Sequence, residues 1–162
     1  MFKHLNTFAI GGLENVGYAA NSDHLIVLSS VGRGIFDCLT RQKIFRDNGN
    51  WWHDYDEESC IIKGFGTETG QQIKVCGLFG EEKLPVRTAD GWELIVSEPV
   101  QDAPPFEKYV VQNVFLKHPA NDSAIFITKD GPCEIRSFGF SETGKSFIVA
   151  LSCELIIWTE NS

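Results

Sequence analysis

The residues best suited to chemistry lie near the end of the chain. Gly139 to Ser146 reads GFSETGKS and matches G-x-x-x-x-G-K-[ST], the pattern of loops whose backbone N–H groups cradle phosphates. A nucleotide-binding enzyme would use Lys145 and Ser146 of this segment. The chemistry needs a helix directly after the loop, because the positive end of that helix faces the anion. It also needs a later strand that supplies an Asp for magnesium.

The residues after Lys145 favour strands instead. They read SFIVALSCELIIW and are rich in β-branched and aromatic side chains, with no charged helical face. No strand with a suitable Asp follows before Ser162. We therefore predict a β-hairpin with Gly144 and Lys145 at its tip, and we keep the nucleotide-binding enzyme as the alternative.

A second candidate site is the segment DNGNWWHDYDEES at positions 47–59, which has no helical or strand periodicity and is predicted to be a loop. Its aromatic side chains offer contact area, and its carboxylates would attract a basic protein. Two further acids on another turn could join it. The predicted partner-binding residues are Trp51, Trp52, His53, Asp54, Tyr55, Asp56, Glu57, Glu58, Glu81 and Glu82. In the alternative interpretation, Trp51 or Trp52 plugs the core and the acids form a solvated loop.

Other site types have weaker support in the sequence. Residues 53–56 offer imidazole and carboxylate groups, but no glycine stands at the calcium-loop position and no second His follows at a fixed spacing. The remaining histidines are scattered, and no local signature marks a Cys–His nucleophile. We therefore predict no metal, no cofactor and no catalytic residue.

The five cysteines, Cys38, Cys60, Cys76, Cys133 and Cys153, contain no C-x-x-C pair. Their odd number and apolar surroundings predict buried free thiols in a reducing compartment. The first residues lack the apolar region of a signal peptide. A cytoplasmic protein is therefore expected.

Size and charge narrow the function further. A chain of 162 residues is expected to form a single domain, 1–162, with its own core. No apolar run is long enough to span a membrane, so no membrane association is expected. The net charge of −8 disfavours nucleic-acid binding and would attract a basic partner.

The strand pattern of the terminal segment is repeated near the start of the chain. Residues 16–37 align without a gap on residues 138–159, at a constant offset of 122 positions, so that Gly17 falls on Gly139 and Phe36 on Trp158. The two segments resemble a blade of the WD-repeat family of β-propellers. Phe36-Asp37 stands where that family has Trp-Asp, whereas the family's Gly-His signature is absent from both segments.

The resemblance implies an all-β fold of about three to four propeller-like, antiparallel, four-stranded blades, forming a small or partial propeller. The blade-like units are placed at about 13–47, 58–98 and 109–160. One helix is conceivable, at 101–108, although two prolines weaken it. An open stack of blades would leave strand edges bare, so a homodimer is a further possibility.

These features favour a non-catalytic protein-interaction module. The concrete form of this hypothesis is an immunity protein or inhibitor that binds and neutralises a basic toxin or enzyme. Besides the nucleotide-binding enzyme, a second alternative is a scaffold subunit that completes a larger propeller with another chain.

Overall fold

A computed structural model describes residues 1–101 and 110–161. Within this part of the chain the protein consists of small antiparallel sheets and two 3-10 turns, Trp52–Asp54 and Gly66–Glu68, with no α-helix. The all-β prediction is confirmed, whereas the helix conceivable at 101–108 lies almost wholly outside the described residues. The strands are β1 Phe2–Ala9, β2 Leu13–Tyr18, β3 His24–Ser29, β4 Gly32–Asp37, β5 Gln42–Asp47, β6 Tyr55–Asp56, β7 Ile61–Lys63, β8 Gln72–Lys74, β9 Cys76–Gly77, β10 Glu93–Val96, β11 Val100–Gln101, β12 Val110–Val111, β13 Asn113–Lys117, β14 Ile125–Lys129, β15 Ile135–Phe140, β16 Ser146–Leu151 and β17 Glu154–Glu160.

Two of the sheets are copies of one another. The first sheet has the order β5-β4-β3-β2, with β9 added beside β2, and the terminal sheet has the order β1-β17-β16-β15. Strands β2 and β3 of the first sheet correspond to β15 and β16 at the same offset of 122 positions that the sequence shows, and β4 begins 122 positions before β17. The hairpin registers also agree, since Leu25 pairs with Phe36 and Phe147 pairs with Trp158.

The copies share irregularities as well as strands. A register shift between Leu13 and Asn15 in β2 recurs between Ile135 and Ser137 in β15. Alternating side chains explain why both sheets need the same bulge, because a slip of one residue would turn the apolar set to the wrong face.

The fourth strand of the terminal sheet comes from the other end of the chain. Strand β1 pairs with β17 as β5 pairs with β4, and a register shift lies at the same place in both pairs, opposite Phe36 in one and Trp158 in the other. Position for position, β1 precedes β5 by a constant 39 residues, since His4 stands opposite Trp158 and Lys43 opposite Phe36.

Three apolar cores join four sheets into a stack. The first core lies between the first and terminal sheets and contains Val27, Phe36 and Ile148. The second lies between the terminal sheet and β10-β13-β14, and the third between the first sheet and β6-β7-β8. Among the described residues, no core cluster joins the two outer sheets. These four sheets therefore stack in the order β6-β7-β8, first sheet, terminal sheet, β10-β13-β14, and β11 and β12 form a fifth, two-stranded sheet.

The middle of the chain is organised differently from the two predicted units 58–98 and 109–160. Strands from 58–98 enter three different sheets, and β13 and β14 pair with β10 and not with β15–β17. The stretch 84–88, inside the predicted unit 58–98, contributes only the isolated bridge between Arg87 and Glu93. Pro85 has no N–H to donate, which is one reason why this stretch forms no regular ladder.

The segment from Val75 to Val86, which we call the clip, passes beside β2 of the first sheet and beside β15 of the terminal sheet. A β-carbon at Gly17 would collide with the carbonyl oxygen of Lys74, and one at Gly139 would collide with the side chain of Leu84. The backbone N–H of Phe140 donates to the carbonyl of Pro85 at 2.7 Å. The paired glycines in the repeat therefore allow close backbone approach at both edges.

Candidate partner-binding surface

The loop after β5 begins with a tryptophan that belongs to the core. Trp51 is only 2% exposed, packs in the third core, and donates its indole N–H to the carbonyl of Ser29 at 2.9 Å. A buried indole with its one donor satisfied has nothing left to offer a partner. Trp51 therefore plugs the core, as the alternative interpretation of the sequence proposed.

The neighbouring tryptophan is displayed on the surface. Trp52 is 43% exposed and stacks on Trp51, with ring centroids 4.4 Å apart and planes inclined by 20°. The edge of Phe79 meets Trp52 at 4.7 Å, and the backbone N–H of Trp52 donates to the side chain of Asn50 at 2.9 Å. The exposed ring thus packs on a buried ring, Trp51, and against a half-buried ring, Phe79.

The nearby carboxylates differ in how far neighbouring groups pair with them. Arg33 donates to Asp47 at 3.0 Å and approaches Asp54 at 3.5 Å, so the charge of Asp54 is partly compensated. Hydrogen bonds from the hydroxyl and amide of Ser59 hold the pKa of Asp56 below its ordinary value. His53, Glu57 and Glu58 are exposed.

Tyr55 lies between the loop and the core. Its ring meets Trp51 edge-on at 5.5 Å, and its buried hydroxyl oxygen has no hydrogen-bond partner among the described residues. Burial, and the neighbouring Cys60, raise the pKa of Tyr55 to about 12. Tyr55 therefore supports Trp52 more than it offers a hydroxyl to a partner.

The clip brings the second pair of predicted acids to the same region. Phe79 of the clip contacts Trp52, and the next residue, Gly80, packs so closely on Cys60 and Tyr55 that a β-carbon there would collide with the Cys60 thiol. Glu81 and Glu82 follow directly and are exposed, with Glu82 3.5 Å from Lys74. We call the resulting set the aromatic–acidic surface: Trp52, Phe79, Asp54, Asp56, Glu57, Glu58, Glu81 and Glu82.

Phe79 is the member of this surface that the sequence did not identify. Its backbone exchanges two hydrogen bonds of 3.0 Å with the side chain of Asn15, a residue 64 positions away. These long-range hydrogen bonds place Phe79 beside Trp52, and local sequence patterns do not predict them. The isolated Gly80 was the nearest available signal, since such glycines mark close backbone approach.

The segment that matched the phosphate-binding pattern is a β-hairpin, as predicted. Gly139 and Phe140 end β15, Gly144 has φ +71° at the turn, and β16 starts at Ser146. The Ser146 hydroxyl is buried and donates to Asp23 at 2.6 Å, and Thr143 donates to the same carboxylate at 2.7 Å. The motif's serine thus ties the terminal sheet to the first, and strand follows where the phosphate site needs a helix.

The prediction of free thiols is wrong for two of the five cysteines. Cys133 and Cys153 form a disulfide, with Cα atoms 5.8 Å apart, whereas Cys38, Cys60 and Cys76 are buried and free. The backbone N–H of Ser152 donates to the carbonyl of Glu134 at 2.8 Å, which brings the neighbouring cysteines together across the sheet. Cysteine content therefore no longer argues for a reducing compartment.

The described part of the chain has neither a cluster of metal ligands nor a helix suited to a membrane. In residues 1–101 and 110–161, no three His, Cys, Asp or Glu side chains converge as metal ligands. The same residues contain no helix with the length and apolarity needed to cross a bilayer. No family model matches the chain, and neither the curated proteins nor the solved structures contain a match.

Proposed function

We propose that this chain is a non-catalytic protein-interaction module whose aromatic–acidic surface binds a basic protein. The observation that carries the proposal is Trp52, a large ring left 43% exposed although a buried Trp51 and Phe79 fix its position. A rigid exposed aromatic gives contact area at low entropic cost, and such residues dominate binding energy at interfaces.

Charge supports a basic partner. Five of the six acids of the aromatic–acidic surface are exposed, and the chain carries a net charge of −8. Carboxylates around an aromatic centre raise the association rate of a cationic protein and select against acidic ones. The concrete form of the proposal is a cytoplasmic inhibitor, of the immunity-protein kind, that neutralises a basic toxin or enzyme.

The experiment is affinity capture from cells that naturally express the chain, followed by binding measurements with the purified captured protein. Trp52→Ala and the pair Glu57→Lys with Glu58→Lys should each abolish capture, whereas Leu39→Ala should not. Leu39 is a matched control because it is a large apolar side chain that is 42% exposed, as Trp52 is 43% exposed, on another part of the surface. Equal capture by the wild-type chain and by both surface variants would refute the proposal.

A second candidate function, a scaffold subunit of a partial propeller, is favoured by the outer face of β10-β13-β14. Ile95, Phe115 and Phe126 stand in one cross-strand row on the face opposite the second core. A sheet with apolar residues on both faces suits an inner layer. Beside this row lie the ion pair between Arg87 and Glu93 and the exposed Lys117, polar groups that the same face of a second copy can contact.

The occupant in this second candidate is a second copy of the chain, so that the sheets of two copies act as blades of one larger stack. Light scattering should then give the mass of a dimer, and Phe126→Asp should give a monomer. Leu39→Asp, at an exposed apolar position elsewhere on the surface, should leave the dimer intact. A wild-type monomer at high concentration would eliminate this candidate and leave the first untouched.

A further inference from the structure

The first sheet contains a cavity beside Gly34. The cavity has a volume of about 110 Å³ and lies between the first sheet and the end of β1, with Val27, Gly34 and Phe36 on one wall and Ile10 on the other. It opens to solvent beside Val31, which is 63% exposed. The cavity lies at the end of the first core, and Arg33, which lines it, also approaches Asp54 of the aromatic–acidic surface at 3.5 Å.

The cavity exists because glycine stands where the copy has a large side chain. Gly34 corresponds to Ile156 at the offset of 122, and both pair with a valine, Val27 in one sheet and Val149 in the other. Ile156 fills the second core, whereas Gly34 leaves that volume empty. The backbone of this unit can therefore accommodate a large side chain at this position, but the first sheet has glycine there.

Two cations border the empty volume. Lys43 stands opposite Phe36 and Arg46 opposite Gly34, so both lie on the cavity side of β5. Neither forms an ion pair with a carboxylate of the described residues, and none of the residues that line the cavity is acidic. In the copy, the positions of Lys43 and Arg46 are held by His4 and Thr7.

The third cation of the lining, Arg33, is already engaged. Its guanidinium donates to Asp47 and approaches Asp54, so its charge is compensated. The Lys43 ammonium lies 5.4 Å from the centre of the Phe36 ring. Two exposed cations that form no ion pair among the described residues therefore lie at the mouth of the cavity.

We propose that this cavity binds a small organic carboxylate, with its apolar body against Val27 and Phe36 and its carboxylate between Lys43 and Arg46. The volume accommodates an apolar group of about four carbon atoms, since a cavity of roughly 150 Å³ holds benzene. Charge-assisted hydrogen bonds from the two cations would select a carboxylate over an uncharged amide of the same shape. The chemical class is a short branched or cyclic carboxylate.

The test is a titration of the ¹⁵N-labelled chain followed by the backbone amide signals of Gly32 and Gly34. Isovalerate should shift these signals to saturation, and isovaleramide should bind at least about tenfold more weakly because it lacks the charge. Acetate should also bind more weakly, because it lacks the apolar body. Equal binding of isovalerate and isovaleramide, or no saturable shift of these glycines up to roughly 50 mM ligand, would overturn the proposal.

Variants locate the site independently. Lys43→Gln and Arg46→Gln should each weaken isovalerate binding about threefold to tenfold, as expected for partly exposed charge pairs. Gly34→Ala should weaken it too, because the added methyl group, 3.2 Å from the carbonyl oxygen of Phe45 and 3.9 Å from the Phe36 ring, would take up part of the cavity. Lys63→Gln, an exposed cation on another sheet, is the matched control and should change affinity less than twofold. Unchanged affinity in all three cavity variants would overturn the assignment.

Discussion

The first and terminal sheets share a backbone plan and differ in how one end is closed. In the terminal sheet the disulfide between Cys133 and Cys153 joins the start of β15 to the turn before β17. The corresponding positions in the first sheet, at the offset of 122, are Gly11 and Val31, which line the open cavity. One copy is therefore sealed by a covalent bond and by Ile156, and the other is left open. Register and bulges tolerate this divergence because backbone hydrogen bonds, and not these side chains, define them.

The two copies also differ in the segment that comes after their outer strand. After β1 the chain turns at once into β2, whereas after β5 it runs into the loop that carries Trp51 and Trp52. The aromatic–acidic surface is therefore an addition to a duplicated unit. Substitutions can test these differences between the copies one at a time. We expect the largest change in the free energy of unfolding from a substitution in β1.

The closure of the terminal sheet by β1 should dominate stability. Phe2 is buried in the second core against the rings of Trp92, Phe140 and Phe147. Phe2→Ala should lower the free energy of unfolding by about 3–5 kcal/mol, the usual cost of a cavity left by a buried Phe. Urea denaturation measures this, with the exposed Met1→Ala as control. A loss equal to that of the control would show that β1 does not complete the sheet.

The disulfide should make the next largest contribution to the free energy of unfolding. Replacing Cys133 and Cys153 by Ser opens a loop with a sequence separation of 20 residues, which should lower the free energy of unfolding by about 3 kcal/mol. A reducing agent should destabilise the wild-type chain by the same amount and leave the double variant unchanged. A free energy of unfolding that changes neither with the reducing agent nor with the substitutions would show that the disulfide does not seal the terminal sheet.

Substitution of Tyr55 should change the free energy of unfolding least at neutral pH and clearly at alkaline pH. Tyr55→Phe removes a buried hydroxyl without a partner among the described residues, so the free energy of unfolding should stay equal or rise by up to about 1 kcal/mol. The folded pKa of Tyr55, about 12, exceeds the unfolded value near 10, so below pH 10 ionisation of Tyr55 takes nothing from the free energy of unfolding, which keeps its full value there. That value decreases as the pH rises from about 10 to 12.

Chemical denaturation between pH 8 and 12 measures this dependence. Wild-type stability should fall more steeply above pH 10 than that of Tyr55→Phe. The variant retains a slope of its own because burial raises the pKa of Tyr18 as well. Parallel curves for the two proteins would mean that the Tyr55 hydroxyl is solvated and that the loop packs less closely than the structure shows.

Local patterns predicted the hairpins well. Alternating apolar runs and turn residues placed β2 to β4 and β15 to β17, and the repeat at an offset of 122 agreed with their registers. Long-range pairings were beyond such patterns. Neither the partnership of β1 with β17 nor the clip could be found locally, because each depends on residues far apart in the chain.

The candidate surface shows the same division between local and long-range information. The sequence identified the aromatic–acidic segment, but two adjacent tryptophans look alike until the fold buries Trp51 and exposes Trp52. The disulfide was missed for a related reason, since its cysteines meet only through the register of β15, β16 and β17.

Isothermal titration of the purified partner against the wild-type chain and against Trp52→Ala tests the central claim most directly. An exposed, fixed aromatic at the centre of an acidic surface should be a dominant contact, so the substitution should weaken the Kd by about 30-fold or more. Leu39→Ala, at an exposed apolar position elsewhere on the surface, should leave the Kd within about twofold of the wild-type value. An unchanged Kd for Trp52→Ala would contradict the assignment of the aromatic–acidic surface as the binding site.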